Sequence, residues 1–145
     1  MERTTQLLTN LRRVMRLYDA MLRPICRRHQ LTVMEANIIS FLHNNPGRDT
    51  AADIVELRML PKSNVSQAVD SLAERGLLLR RQDSRDRRRL HLALTPAAGP
   101  ITRDVDEARA QFRRQLFHNF SPEERECFFQ LNQRLADNAE IQREE

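Results

Sequence analysis

Apolar positions fall into helical spacing almost from the start of the chain. Over residues 5–28, Leu7, Leu11, Val14, Tyr18, Met21 and Ile25 alternate steps of four and three, the seam of a heptad pattern. Leu8, Met15 and Leu22 widen that stripe beyond what one solvent-facing helix needs. Two packings fit it: a core helix of a single chain, or a helix that buries one side in its own lobe and the other against a second subunit. Pro24 lacks an N–H and is expected to kink or end the helix near residue 23, unless packing tolerates it.

The next elements are punctuated by caps. Thr32-Val33-Met34-Glu35 reads as a capping box, and Ala36, Ile38, Ile39 and Leu42 then face inward as far as about Asn44. Asn44-Asn45-Pro46-Gly47 stops that helix with strong turn chemistry. Thr50, with Asp53 three residues on, caps a short helix whose apolar face is Ile54 and Leu57. Pro61 opens another helix, which Gly76 ends as a left-handed cap.

This helix, residues 61–75, has two distinct faces. Val65, Ala68, Val69 and Leu72 share one of them. Ser63, Ser66, Gln67 and Asp70 lie on the other, flanked by Lys62 and Asn64. Small and amide side chains near the N-terminal end suit contacts with base edges, while Asp70 and Glu74 toward the other end should stay clear of phosphate. A hairpin follows. Gly76–Arg81 is one strand, and Leu90–Leu94, with Leu90, Leu92 and Leu94 in period-two alternation, is the other. The joining loop, Asp83-Ser84-Arg85-Asp86-Arg87-Arg88-Arg89, has no Gly for a two-residue turn and should be long and protruding.

Two helices complete the chain. Thr95-Pro96 starts one, striped by Ile101, Val105, Ala108, Phe112 and Leu116. Ser121-Pro122-Glu123-Glu124 is a second capping box, and Phe128, Leu131 and Leu135 mark the last helix, which frays into Gln142–Glu145. The predicted class is mainly α with a small β-hairpin. A short helix, a turn, an exposed helix and a basic hairpin form the order of a winged helix-turn-helix, and the long striped helices at both ends would serve as a dimerisation lobe. The domains expected are residues 1–30 (dimerisation helix), 31–95 (winged helix-turn-helix) and 96–145 (dimerisation helices).

Charge sharpens this picture. The 145 residues carry a formal charge of +4, unevenly spread. From Pro61 to His91 eight basic residues oppose four acids, whereas from Ser121 onward three arginines oppose seven acids. The middle of the chain is therefore the candidate polyanion surface. No run approaches the ~18 apolar residues of a membrane span, and the N-terminus does not read as a secretory signal, so a cytosolic, nucleoid-associated location without membrane contact is expected. Cys26 and Cys127 form no metal or disulfide framework. Beside Phe128 and Phe129, Cys127 is expected to be inert packing. Cys26 is either a buried structural thiol or, with Arg27-Arg28 lowering its pKa, a peroxide sensor. His29, His43, His91 and His118 show no close ligand spacing, so neither a metal nor a cofactor is expected.

The ordered set of motifs resembles the MarR family of bacterial transcriptional regulators over nearly the whole chain. The matching residues are Leu31-Thr32, Thr50, Lys62-Ser63-Asn64-Val65-Ser66, Val69-Asp70-Ser71-Leu72, Leu72-Ala73-Glu74-Arg75-Gly76-Leu77, Asp83-Ser84-Arg85-Asp86-Arg87-Arg88 and Leu94-Thr95. The resemblance implies a homodimer on a pseudo-palindromic operator, most often a repressor, released by a small lipophilic or phenolic effector or by cysteine oxidation. It makes Ser63, Asn64, Ser66 and Gln67 the major-groove contacts, with Lys62 on phosphate or a base. Gln67 departs from the Arg that many relatives carry; Gln pairs with adenine where Arg favours guanine. Asp86 and Arg88 match the family's Asp-x-Arg wing element, and Arg85, Arg87, Arg88 and Arg89 are candidates for the wing tip. Alternate residues of a hairpin face opposite ways, so all four are not expected on DNA. By fold analogy an effector pocket would lie between the dimer lobe and the winged domain, lined by Met15, Tyr18, His29, Asn37 and Phe41. The competing reading is a winged-helix module that binds protein or RNA without operator specificity. An enzyme is the weakest reading: there is no Gly-rich phosphate loop, no G-x-S-x-G and no H-E-x-x-H.

Overall fold

The computed structural model describes residues 1–140. Among them the order is α1 (Arg3–His29), α2 (Val33–Asn44), α3 (Ala51–Arg58), α4 (Lys62–Glu74), β1 (Leu78–Gln82), β2 (Leu90–Leu94), a 3-10 turn (Pro96–Ala98), α5 (Gly99–Leu116) and α6 (Pro122–Asn138). The chain divides into two compact units, Met1–Phe112 and a second that begins at Arg113. The charged tail expected at residues 142–145 lies outside the described residues.

In the first unit one core gathers Leu22 and Ile25 of α1, Ile38 and Ile39 of α2, Ile54 of α3, Val65 and Leu72 of α4, Leu78 and Leu92 of the hairpin, and Ile101 and Val105 of α5. The expected caps are present. Thr32 and Glu35 close a reciprocal capping box on α2, as do Thr50 and Asp53 on α3. Glu2, not anticipated, caps α1 by accepting from the N–H groups of Thr4 and Thr5, and these bonds lower its carboxyl pKa to about 2. At the C-terminal end of α4, Gly76 takes φ +73°. The N–H of Gly76 reaches the carbonyl of Ala73, and that of Leu77 reaches Leu72 at 3.0 Å, a Schellman closure.

Pro24 does not end α1, which continues to His29. A proline inside a helix costs about 3 kcal/mol, but Leu22 and Ile25 on either side of it are buried, each stabilising by roughly 1.5–3 kcal/mol. The tertiary contacts outweigh the missing backbone bond. The helix ends instead at Gln30, in the left-handed conformation (φ 55°), with Arg27, Arg28 and His29 at the negative end of its dipole.

The hairpin pairs Leu78 with Leu94, Arg80 with Leu92 and Gln82 with Leu90. Of the alternating leucines only Leu92 is buried, because Leu90 stands at the open end of the ladder and is 44% exposed. Thr95 does not cap the following turn. Its hydroxyl donates to the carbonyl of Gly76 at 2.6 Å, and its N–H bonds to Leu77, which ties the hairpin back to the end of α4. Leu57 also departs from expectation. Two turns do not bury both residues of its face, so Ile54 is enclosed while Leu57 is half exposed.

In the second unit Phe117 is buried against the rings of Phe120, Phe128 and Phe129, with centroids 5.2–5.5 Å apart. Ser121 and Glu124 form the expected capping box, with Pro122 at the first helical position. The apolar stripe of α6 is unfilled: Phe128, Phe129, Leu131 and Leu135 are all 43–53% exposed. Cys127 is exposed, not packed, since the phenyl cluster forms on Phe117 and leaves the thiol outside.

Candidate nucleic-acid interface

Helix α4 is seated by its apolar face. Val65, Ala68, Val69 and Leu72 are buried, while Lys62, Ser63, Asn64, Ser66 and Gln67 are all exposed. The helix begins after Pro61 with no side-chain cap. Its first N–H groups and the positive end of its dipole are thus open beside Lys62, an arrangement that favours an anion. Asp70, in the other half, is held by Arg80 of β1 in an exposed ion pair, which contributes little stability but keeps one carboxylate neutralised on this face.

Two bonds fix where α4 sits relative to α1. The guanidinium of Arg75 donates to the carbonyls of Gln30 and His29, both at 2.8 Å. Buried Glu35 accepts from the N–H of Thr32 at 3.0 Å and from the hydroxyl of Ser71 at 3.1 Å. The end of α1 and the start of α2 are therefore clamped to the second half of α4.

The loop between β1 and β2 carries Arg85, Arg87, Arg88 and Arg89, all exposed. Its shape is set by acids bonded to backbone, as a carboxylate in a basic loop can do. Asp86 accepts from the N–H of Arg88 at 2.9 Å. Asp83, which the sequence did not single out, does more. One of its oxygens accepts from the N–H groups of Arg85 and Asp86 (3.1 and 2.9 Å), and the other faces Nε2 of His91 at 2.8 Å. The bond to His91, followed by those backbone N–H groups, lowers the Asp83 pKa to about 2. The amide of Gln82 adds a bond to the carbonyl of Arg87 at 3.1 Å. The loop's guanidinium groups take part in none of this, and among the described residues none forms an ion pair.

A second site lies within the first unit. A cleft of about 490 Å³ is bounded by Met15 and Tyr18 of α1, Asn37 and Phe41 of α2, Leu57 and Arg58 of α3, and Arg109 and Phe112 of α5. Four of the five residues expected there are brought together. His29 is not: a full three turns beyond Tyr18 on α1, it bonds Asp104 of α5 at 2.7 Å. That bond is the main cause of the lowered Asp104 pKa, with Arg28 adding to it. Ser40, Arg58 and Arg109 supply the polar groups instead. The guanidinium carbons of Arg58 and Arg109 stand 5.9 and 6.0 Å from the Tyr18 ring centre. Arg58 donates to Asn37 at 2.9 Å and Arg109 to the Tyr18 hydroxyl at 3.2 Å. The Tyr18 and Ser40 hydroxyls are 2.9 Å apart. Among the described residues no carboxylate lines this cleft. Cys26 lies apart from it, 7% exposed, and burial raises its thiol pKa despite Arg27. That is the environment of an unreactive structural thiol.

Residues 29–89 match the model of the MarR family. The wider fold is also that of MarR-type regulators. A MarR-family transcriptional regulator from Silicibacter pomeroyi superposes with a TM-score of 0.79 at 22% identity, covering 92% of this chain and 90% of its own. BpsR of Bordetella bronchiseptica, whose DNA binding is regulated by 6-hydroxynicotinic acid, gives 0.69 at 22% identity, covering 90% of this chain and 98% of its own. PcaV of Streptomyces coelicolor, a transcriptional regulator solved with its natural ligand, gives 0.70 at 24% identity, covering 97% and 98%. In MarR terms α3 and α4 are the helix-turn-helix and the β1–β2 loop is the wing.

Asp83, His91 and Asp49 at the wing root, and Arg58 and Arg109 in the cleft, were not legible as site residues beforehand. Each pairs with a partner 8 to 91 positions away. The only local signal was Asp83 opening an arginine run, a turn-forming acid at the place where a loop needs its backbone tied down.

Proposed function

We propose that the chain is a sequence-specific DNA-binding transcriptional regulator of the MarR type, acting as a homodimer on a pseudo-palindromic operator. The observation that carries this reading is α4 itself, whose inner face is buried and whose Lys62, Ser63, Asn64, Ser66 and Gln67 face is open beside an unpaired arginine loop. Residues 31–95 would be the DNA-binding domain, with Gln67 and Asn64 reading base edges and some of Arg85, Arg87, Arg88 and Arg89 reaching the adjoining groove or phosphates while Asp86 holds the loop. Residues 1–30 and 96–145 would form the dimer lobe. The apolar residues left exposed on α1 (Leu7, Leu8, Leu11) and on α6 support that assignment. Two α4 helices would then sit about 34 Å apart, one helical turn of duplex.

Footprinting on the promoter upstream of the protein's own gene, with light scattering to fix the subunit number, tests this. A protected dyad whose binding weakens steeply with salt is the expected result. Salt-sensitive binding with no sequence preference would instead favour the module that contacts RNA or protein without an operator.

We also propose that the Tyr18–Arg58–Arg109 cleft takes a hydroxylated aromatic carboxylate whose binding releases DNA. Two guanidinium groups without a lining acid suit the carboxylate, and Met15, Phe41 and Phe112 suit the ring. The control of BpsR by 6-hydroxynicotinic acid supports the class. Calorimetric titration with 6-hydroxynicotinate and with 4-hydroxybenzoate should detect binding. Arg109→Ala should weaken it roughly 10–100-fold, the equivalent of one hydrogen bond to a charged group. Equal affinity in wild type and Arg109→Ala would remove the cleft from consideration.

A further inference from the structure

The root of the wing is joined to the helical scaffold through one imidazole ring. Nδ1 of His91 lies 2.7 Å from a carboxylate oxygen of Asp49, in the α2–α3 connection, and Nε2 lies 2.8 Å from a carboxylate oxygen of Asp83, at the start of the arginine loop. The backbone reinforces the junction: the N–H of Leu92 donates to the carbonyl of Asp49 at 2.7 Å, and Thr50 forms a single bridge with His91. A neutral imidazole has one N–H and one lone pair, so it can satisfy only one of two carboxylates and turns its lone pair on the other. Only the imidazolium donates to both. The other oxygen of Asp83 holds the N–H groups of Arg85 and Asp86, so whatever orients Asp83 orients the loop.

We propose that His91 is a positioning residue for the wing: its imidazolium, bridging Asp49 and Asp83, sets the pose of the arginine loop and makes duplex binding depend on one proton in each protomer. This rests on the DNA-binding reading above. The arrangement is a strut between scaffold and wing, and the charged ring also offsets two carboxylates that would otherwise face a polyanion. Its bonds to Asp49 first, and then to Asp83, raise the pKa of the ring. A raised histidine pKa stabilises the bridged form fully below the unfolded value of ~6.5, and that contribution is lost as pH rises through the folded value. The affected window is therefore the neutral-to-alkaline side.

Other charges on the neighbouring elements are already engaged or stand clear. Asp53 caps α3, Glu35 caps α2, His43 pairs with Asp106 of α5, and Arg80 pairs with Asp70. Glu56 of α3, Arg48 beside Asp49, Arg81 across the hairpin from His91, and Arg89 two residues before it form no ion pair with the ring or with its two carboxylates.

The test uses the full-length protein and a fluorescein-labelled duplex carrying the promoter upstream of its own gene. Anisotropy gives Kd from about pH 6 to about 9 at constant ionic strength, a range that brackets and exceeds the ordinary histidine value. Wild type is expected to lose at least about tenfold in affinity across the alkaline part, with no more than about a hundredfold per pH unit because a dimer carries two such protons, one in each wing. His91→Gln should show the weaker, alkaline affinity throughout and a flat profile. Asp49→Asn, which removes one negative charge from beside the ring, should move the fall to lower pH. In parallel, the His91 Cε1–H resonance of the free protein should titrate above ~6.5 in wild type and lower in Asp49→Asn. A His91→Gln protein that keeps the wild-type pH profile overturns the proposal, as does a His91 resonance titrating at or below the ordinary value. If no duplex binds at any pH or salt, the DNA-binding reading fails. The resonance, together with amide exchange of residues 85–89 across the same pH range, still decides the strut. Should His91→Gln not fold, the displaced profile of Asp49→Asn carries the decision.

Discussion

Changing Arg85, Arg87, Arg88 and Arg89 together to Ala is expected to weaken operator binding about 10³–10⁴-fold near 0.1 M salt, with almost no change in thermal midpoint. Each phosphate neutralised by a cation contributes about 0.9 to the slope of log K against log salt, hence nearly a factor of ten at 0.1 M relative to 1 M. Taking roughly two of the four arginines of this turning loop to reach DNA in each protomer gives about four in a dimer. The salt slope should therefore fall by about 3–4. Stability is spared because the loop is shaped by backbone bonds to Asp83, Asp86 and Gln82, and no guanidinium of the four contributes to it. Such surface substitutions stay within about 0.5 kcal/mol. Salt-dependent anisotropy and calorimetry of the quadruple variant check both halves. An unchanged slope would place the wing off the DNA.

The second large effect lies on the opposite side of the neighbouring helix. Leu72 is fully buried on the inner face of α4, and Leu72→Ala is expected to cost about 2–5 kcal/mol by urea denaturation. That is a large share of the roughly 5–15 kcal/mol that holds a typical domain. Gln67→Ala, five residues earlier on the exposed face, should leave stability within about 0.5 kcal/mol. It should instead reduce discrimination at one base pair by about 1–3 kcal/mol. If Gln67→Ala destabilised the fold while leaving operator preference intact, the helix would not be reading bases with that side chain.

Much of this architecture was legible because its signals are local. Capping boxes at Thr32, Thr50 and Ser121, the glycine at position 76 and the period of Val65, Ala68, Val69 and Leu72 each involve residues within about two turns of one another. The same is true of the candidate interface: five exposed side chains on one helix and an arginine loop right after it need no knowledge of the rest of the chain. The errors are of the opposite kind. Pro24 obeyed its own backbone chemistry in the prediction and its neighbours' burial in the fold. Cys127 and Leu57 were assigned from adjacent apolar residues, but burial depends on what arrives from elsewhere.

From its amino-acid order alone, then, the chain determined which segments are helices, where α2 and α4 stop, and which face of α4 is left open, since hydrogen bonds and side-chain contacts at short separation select those features. Only the tertiary structure decided that His29 leaves the cleft for Asp104, that Arg58 and Arg109 converge on Tyr18, and that His91 spans Asp49 and Asp83. Those pairings join residues remote along the chain, and a charge or a proton has no defined role until folding brings its counterpart within hydrogen-bond reach.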